Sequence, residues 1–381
     1  MTSKTPIKIL KNTFLVPDYY PDFSCKGGNC RHTCCNGWEV TIPMNQYFYL
    51  VGLQCSQSLR SVLDRTFRIL DHPSKERYAE IAHNHQGSCP LLQKNGYCAL
   101  HEKYGEEVLP SVCRYYPRGP RYFYAYESSC ANSCERTLEL LFQNDNPVKF
   151  IEMPLIFKLT TDEKVALPKE QALYQSIRKN CFDILQNRQD TLPNRIMKIG
   201  RLLMALDSNP EITLSQTNIT VSNYNPTIEK SISLLHQISS WLIETDSSIA
   251  LYCQTIQDNY QNQDTISYYQ QALKHFEEVV PNHEILFEKM MINDLYFRQF
   301  PFQEHTMSFY DEFISICGLY SFIRYISIHT MINFNTVEDY IDILAKTFRV
   351  IAHTKFGKNI MNQMKRYQLV DYDKLGVFIQ L

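Results

Sequence analysis

Apolar residues recur at helical spacing through most of the chain beyond residue 145. Leu173, Ile177, Cys181 and Leu185 form one stripe, and Ile196, Ile199, Leu203 and Leu206 a second, with Pro193 near its start. Ile228, Ile232, Leu235, Ile238 and Leu242 form a third. Val337, Ile341, Leu344, Phe348 and Ile351 form a fourth, with Thr336 as its N-cap and Gly357 beyond its end. Side chains three and four positions apart share one face of a 3.6-residue turn, so each stripe predicts an amphipathic helix. Residues 266–329 carry similar, less regular patterns broken by Pro281 and Pro301, and the polar stretch from Asn209 to Asn225 reads as a long loop. No repeat of fixed period is evident.

The first 145 residues read differently. Tyr20-Pro21-Asp22, Lys26-Gly27-Gly28-Asn29 and Asn36-Gly37 concentrate turn-forming residues between positions 20 and 37, which predicts loop. Leu59, Val62, Leu63, Phe67 and Leu70 keep helical spacing, so residues 43–82 are expected to be helical. A short helix is expected from Leu100 to Val108, stopped by Pro110, and Tyr122, Phe123, Tyr124 and Tyr126 predict a short strand. The expected fold is mainly α. A cysteine-rich, metal-binding domain over 1–145, with loops and a short strand, precedes a larger helical domain over 146–381 that contributes to a substrate cleft.

At 381 residues and 44% hydrophobic content the chain has material for an ample core. Lys plus Arg number 38 against 40 for Asp plus Glu, which gives no electrostatic case for a nucleic-acid or membrane-surface partner. Met1 to Lys11 holds no apolar signal-peptide core, and no run of about 18 uncharged apolar residues follows. The expected location is therefore the cytoplasm, where thiols stay reduced, and an odd count of 13 cysteines also suits a disulfide framework poorly.

Ten of those 13 cysteines fall between Cys25 and Cys134. Cys25, Cys30, Cys34 and Cys35 read C-x4-C-x3-C-C; Cys89, Cys98, Cys113, Cys130 and Cys134 follow. Thiolates are soft ligands for zinc and for iron–sulfur clusters, so this crowding marks the functional end of the chain. Paired C-x2-C knuckles are missing, which weakens the zinc-finger reading without removing zinc. A [4Fe–4S] cluster needs only three or four thiolates. The candidate ligands are Cys30, Cys34 or Cys35, Cys98 and Cys113, with Cys25 and Cys89 in reserve. Adjacent side chains of an extended segment point to opposite faces, so one of Cys34 and Cys35 is expected to ligate a given ion. Cys55, Cys181, Cys253 and Cys317 read as small buried hydrophobes.

Arg114, Tyr116 and Arg118 follow Cys113 directly and are candidates for holding a cofactor carboxylate or orienting a substrate amine. The duller alternative is an arginine-rich turn tied to nearby carbonyls. His101 reads either as a ligand or second donor beside Cys98, or as an ordinary helix histidine. Glu102, Glu106 and Glu107 read as a solvated helix face.

The runs from Tyr20-Pro21-Asp22-Phe23 to Cys34-Cys35-Asn36-Gly37-Trp38, then Cys89-Pro90-Leu91-Leu92, Gly96-Tyr97-Cys98-Ala99-Leu100-His101 and Leu109-Pro110-Ser111-Val112-Cys113-Arg114-Tyr115-Tyr116-Pro117-Arg118, resemble the flagellin lysine N-methylases of bacteria. These sit within a broader class of proteins described as zinc- or iron-chelating. The resemblance is strong over about Tyr20 to Arg136 and general beyond. It implies methyl transfer from S-adenosylmethionine to surface lysines of flagellin, and an iron–sulfur cluster held by the N-terminal cysteines. The chain has no G-x-G-x-x-G loop. Its C-x3-C pairs lack the third cysteine of radical S-adenosylmethionine enzymes, since Gly37 and Thr137 stand there. Two further functional classes stay open: a metal-chelating or cluster-carrying protein without catalysis, and a scaffold stapled by zinc.

Overall fold

The computed structural model describes residues 8–121, 125–159, 171–209, 219–244, 249–301 and 307–381. The chain divides into two compact units, Met1–Arg136 with Lys149–Pro168, and Thr137–Val148 with Lys169–Leu381. Fifteen α-helices lie among the described residues, and the fold is mainly helical as expected.

The first unit holds two sheets. Strand β1 (Lys8–Pro17) pairs antiparallel with β7 (Phe150–Leu159) over ten residues, from Lys8↔Leu159 to Pro17↔Phe150. β1 also pairs in parallel with β6 (Glu127–Ser128), which pairs with β5 (Pro120–Arg121), giving the order β5-β6-β1-β7. Phe14 anchors this sheet, its ring edge-on to Tyr126 and Phe157 with centroids 5.6 and 5.2 Å away. The second sheet has the order β2-β4-β3, from β2 (Thr41–Ile42), β3 (Phe67–Ile69) and β4 (Ala79–Ile81). Helices α1 (Met44–Val51) and α2 (Gln57–Thr66) pack beside it. Ile42, Leu50, Leu59, Leu63, Ala79, Ile81, Leu91 and Leu100 form the core there.

Two expectations for this unit are corrected. Residues 43–82 are not helical throughout: the pattern holds through Leu63, but Phe67 begins a strand whose register with Ile81 continues in antiparallel pairs. An aromatic and a β-branched residue around Arg68 suit a pleated edge better than a third helical turn. The helix expected from Leu100 to Val108 is α3 (Ala99–Tyr104) alone. Gly105, at φ +77°, ends it, and a single 3-10 turn (Glu106–Val108) follows. Tyr122, Phe123 and Tyr124 lie outside the described residues, and Tyr126 sits in a bend just before β6.

In the second unit the four apolar stripes become α6 (Gln171–Leu185), α7 (Leu192–Ser208), α8 (Ile228–Glu244) and α13 (Val337–His353). Thr336 caps α13 by accepting from the Asp339 amide at 3.1 Å. Between α8 and α13 run α9 (Ala250–Tyr260), α10 (Thr265–Val279), α11 (His283–Phe297) and α12 (Phe309–Met331). Pro281 and Pro301 fall in the breaks on either side of α11. α12 is buried nearly all round, which explains its irregular pattern: a central helix has no polar face to mark. Helices α14 (Phe356–Arg366) and α15 (Tyr372–Phe378) close the chain. Cys181, Cys253 and Cys317 are buried here as small hydrophobes. Of the expected loop from Asn209 to Asn225, residues 210–218 lie outside the described residues, and the rest is irregular. Among the described residues no helix is long and apolar enough to cross a membrane.

Candidate functional site

Three backbone devices gather the N-terminal cysteines. The Cys89 amide donates to the Cys35 carbonyl at 2.8 Å, and a neighbouring bridge joins Asn36 to Ser88. A tight hairpin then returns the chain: the Gln93 amide donates to Tyr97 O at 2.9 Å and the Ala99 amide to Leu91 O at 2.8 Å, which sets Cys98 at the head of α3, back beside Cys89. The hairpin tip docks on the first cysteine loop through two glycines. A Cβ on Gly28 would stand 2.5 Å from the Asn95 carbonyl oxygen, and one on Gly96 2.8 Å from Gly28 Cα. Gly96 also adopts φ +80°, the left-handed region that favours glycine.

Cys113 arrives on α4 (Ser111–Tyr115), whose start is fixed by Gln46. Gln46 Nε2 donates to Ser111 Oγ at 2.7 Å, and the Ser111 backbone amide donates to Gln46 Oε1 at 3.0 Å. The result is a cavity of about 180 Å³ lined by Cys25, Cys30, Cys34, Cys35, Cys89, Cys98 and Cys113. A single water needs only about 15 Å³ by the same measure. Cys113 has open surface, yet burial pushes its thiol pKa well up. Both hold because that open surface is the cavity wall rather than the exterior.

The thiols fall into two overlapping sets. Cys113 feels Cys35, Cys89 and Cys98, and Cys89 and Cys98 each feel Cys35, so these four form one mutually interacting group. Cys30 feels Glu135, Cys134 and Cys25, and Cys34 bridges the sets, bonded to Cys35 and sensing Cys113 and Cys134. Cys30, Cys34, Cys89, Cys98 and Cys113 are all shifted upward. Burial raises Cys89 and Cys30 to about 12, and the hydrogen bond with Cys35, then burial, raises Cys34. Cys30, Cys34, Cys89, Cys98 and Cys113 are therefore neutral thiols until a cation displaces their protons. Among the described residues no three His, Cys, Asp or Glu side chains converge closely enough to clasp one metal ion. The sulfurs instead surround a space with room for more than a single ion, and their soft donor set suits iron or zinc.

Around the thiols stand fixed polar and aromatic groups. Trp38 Nε1 donates to the Cys34 carbonyl at 2.7 Å, and its ring lies 5.2 Å from that of Tyr116. The Tyr116 hydroxyl and Ser133 Oγ are 3.0 Å apart. Arg114 Nε donates to the Glu106 carbonyl at 2.9 Å and Nη2 to the Glu107 and Leu109 carbonyls, while Nη1 is buried without a partner on a residue that lines the cavity. The Arg118 guanidinium sits 5.1 Å from the centre of the Phe23 ring. Glu135 accepts from Lys26 Nζ at 2.7 Å and from the His32 and Arg31 amides at 2.9 and 3.2 Å, locking the first cysteine loop.

Residues 178–376 match the family model described as the FliB lysine N-methylase C-terminal domain. The chain belongs to the FliB lysine N-methylase family. Its curated relatives include the Lysine-N-methylases of Salmonella choleraesuis (strain SC-B67) and Salmonella typhimurium (strain LT2), each 25% identical over 198 residues, which cover 50% of this chain and 47% of the relative. The flagellar biosynthetic protein FliU of Salmonella muenchen is 26% identical over 123 residues, 32% of this chain and 69% of that protein. The match thus spans about half the length of the two methylases. No solved structure matches the chain.

The FliB family match lies in the helical unit, outside the cysteine cavity. All seven candidate cysteines line that cavity, as do Arg114, Tyr116 and Arg118. Cys35, Cys89, Cys98 and Cys113 are brought together; Cys25 and Cys30 sit in the neighbouring set. His101 also lines the cavity. Cys134 and Trp38 went unselected by sequence reasoning. Cys134 stood in the cysteine count, but nothing in its spacing tied it to Cys30, 104 positions away.

Proposed function

We propose that the chain is an S-adenosylmethionine-dependent protein-lysine N-methyltransferase acting on flagellin, with an iron–sulfur cluster in its cysteine-rich unit. Membership of the FliB lysine N-methylase family carries this reading. The names of the Salmonella relatives, Lysine-N-methylase and a flagellar biosynthetic protein, favour a lysine on a flagellar protein as substrate. On this reading the enzyme works in the cytoplasm without nucleic acid or membrane, and the helical unit takes part in binding flagellin.

Cys35, Cys89, Cys98 and Cys113 would hold the cluster, with Cys34 adjoining. When bound, such a cluster supplies redox-active, Lewis-acidic iron. The chain's own residues have other tasks. The buried, unpartnered Nη1 of Arg114 suits a carboxylate such as that of the methionine moiety, and the fixed rings of Trp38 and Tyr116 offer an aromatic wall to a cationic group. Methyl transfer needs the lysine as a free amine: its nitrogen forms a bond to the methyl carbon as the carbon–sulfur bond of the sulfonium breaks, leaving S-adenosylhomocysteine.

The test incubates full-length, anaerobically reconstituted protein with S-adenosylmethionine and flagellin, then weighs the flagellin by intact mass spectrometry. Whole-methyl increments on lysines are expected, and an unchanged mass would overturn the reading. One observation favours a second reading, a cluster carrier or zinc-stapled protein without catalysis: the thiol cavity lies wholly outside the family-matched residues 178–376. An absorption spectrum separates brown iron–sulfur from colourless zinc.

A further inference from the structure

Next to the cysteine cavity lies a second, open groove of about 400 Å³, within the same unit. It is bounded by Glu39, Arg68, Glu80 and His83, and it shares Trp38, Ile81 and His83 with the cavity as a common wall. We propose that this groove is the port through which a lysine side chain of the protein substrate reaches the cavity, with Glu80 receiving its ammonium and His83 taking its proton. The proposal rests on the lysine-methylation reading above and deepens it.

The argument starts from β4. Strand alternation turns Ala79 and Ile81 into the core and Glu80 to the other face. The Glu80 carboxylate is 15% exposed, whereas its partner Arg68 is 74% exposed. Both Arg68 bonds, from Nε and Nη2, land on Oε1. Oε2 is left without a hydrogen bond, so a second cation can be received beside the first. Glu39 at the rim is held by an exposed Arg77 at 3.2 Å, a pair weak enough in water to yield to an incoming ammonium. Gly37 and Gly87 also line the groove, with open space around them.

His83 makes no hydrogen bond to any described residue, although it is half-buried and stands within electrostatic range of Glu80. An imidazole without a partner, between a carboxylate and the reaction cavity, is placed to act as a base. Burial lowers its pKa, against the opposing effect of Glu80, which keeps the ring neutral and able to accept a proton near pH 7. Of the charged groups lining the groove with it, Glu80 favours the imidazolium once formed.

The step balances simply. The lysine ammonium gives one proton to a His83 ring nitrogen. The amine lone pair then forms the N–C bond to the methyl of the sulfonium donor, whose C–S electrons return to sulfur. The product is a methylammonium and a neutral thioether, and His83 releases its proton to solvent through the open groove.

Two measurements test this. Trp241→Phe leaves Trp38 as the sole tryptophan, so its emission reports on the shared wall. Titration with Nα-acetyl-lysine methylamide should give a saturable change, at least about tenfold weaker in Glu80→Gln. The norleucine analogue, which has the stem without the charge, should give none. An equal response to both ligands, or one untouched by Glu80→Gln, overturns the port. In turnover with flagellin, His83→Ala should lower kcat by about 100-fold or more with KM little changed, and added imidazole should restore part of the rate. Its iron content should match that of the unaltered protein. Turnover within twofold of the unaltered protein overturns the base. If the unaltered protein methylates nothing while the lysine titration behaves as expected, the methyltransferase reading fails and the groove stands as a lysine-binding site.

Discussion

The backbone amide of Cys89 donates to the carbonyl of Cys35 across 2.8 Å, tying together two cysteines 54 positions apart in the chain. Around that link Cys98 and Cys113 complete a group of four interacting thiols. Serine at any of these four positions is expected to abolish most bound iron, because each removes a ligand and a cross-link between loops. Cys34→Ser should retain more, since Cys34 leans toward Cys134 as well, and Cys253→Ser in α9 should change nothing. Iron analysis and the visible absorption of the six variants decide this.

Two glycines in left-handed turns, Gly87 in the turn before Cys89 and Gly96 at the hairpin tip, separate space from backbone strain. Gly87 and Gly96 have similar φ values, +74° and +80°, but only Gly96 faces a close neighbour. Gly87→Ala should lose about 1–2 kcal/mol from the left-handed conformation alone. Gly96→Ala adds a clash with the Gly28 backbone, and overpacking typically costs about 1–3 kcal/mol more. Urea unfolding of the two variants should rank them in that order, with iron content reduced only in Gly96→Ala.

In the helical unit Glu288 is fully buried and binds two arginines, Arg195 at 2.7 Å and Arg188 at 2.8 Å. Arg195 is only 2% exposed, so Glu288→Ala would strand its charge. Removing one partner of a buried pair costs about 3–5 kcal/mol. A loss below about 1 kcal/mol in chemical denaturation would show that water or another group compensates.

Three histidines of the same unit, His236, His283 and His329, are each lowered by burial to about pKa 4. Unfolding returns them to about 6.5, so the unfolded state binds protons that the folded state refuses. Their contribution to stability is present above pH 6.5 and lost as the pH falls from there toward 4. Denaturation midpoints should drop across that window, with unfolding taking up about three protons. His329→Gln, which can still reach the Tyr260 hydroxyl, should remove about one proton from that slope.

Much of the helical unit was legible because burying one face of a helix writes a period into the sequence. Thr336 announced its helix, and the stripes ending at Leu185, Leu206, Leu242 and Ile351 fell on helices. The β1·β7 ribbon was not legible: its partners are over 130 positions apart, and neither strand alternates cleanly, with Ile9, Ile151 and Ile156 left exposed. The cysteines were legible as a crowd but not as a set. Spacing groups Cys35 with Cys25 and Cys30, whereas the bond to Cys89 and the hairpin through Gly96 place it with Cys89, Cys98 and Cys113. His83 and Glu80 carried no motif at all, since their relation comes from strand alternation beside a cavity.

The ten-residue ladder between β1 and β7 also decides where the chain can be divided. β7 lies beyond Thr137–Val148, a segment that belongs to the helical unit, so the polypeptide leaves the cysteine-rich unit and returns before leaving it finally after Pro168. A cut anywhere between 137 and 148 would strip β1 of its antiparallel partner and leave a long, unpaired strand edge bearing Ile9, the kind of edge that aggregates. Any division that keeps β1 paired therefore has to run past residue 159 rather than stop at the last cysteine of the N-terminal group.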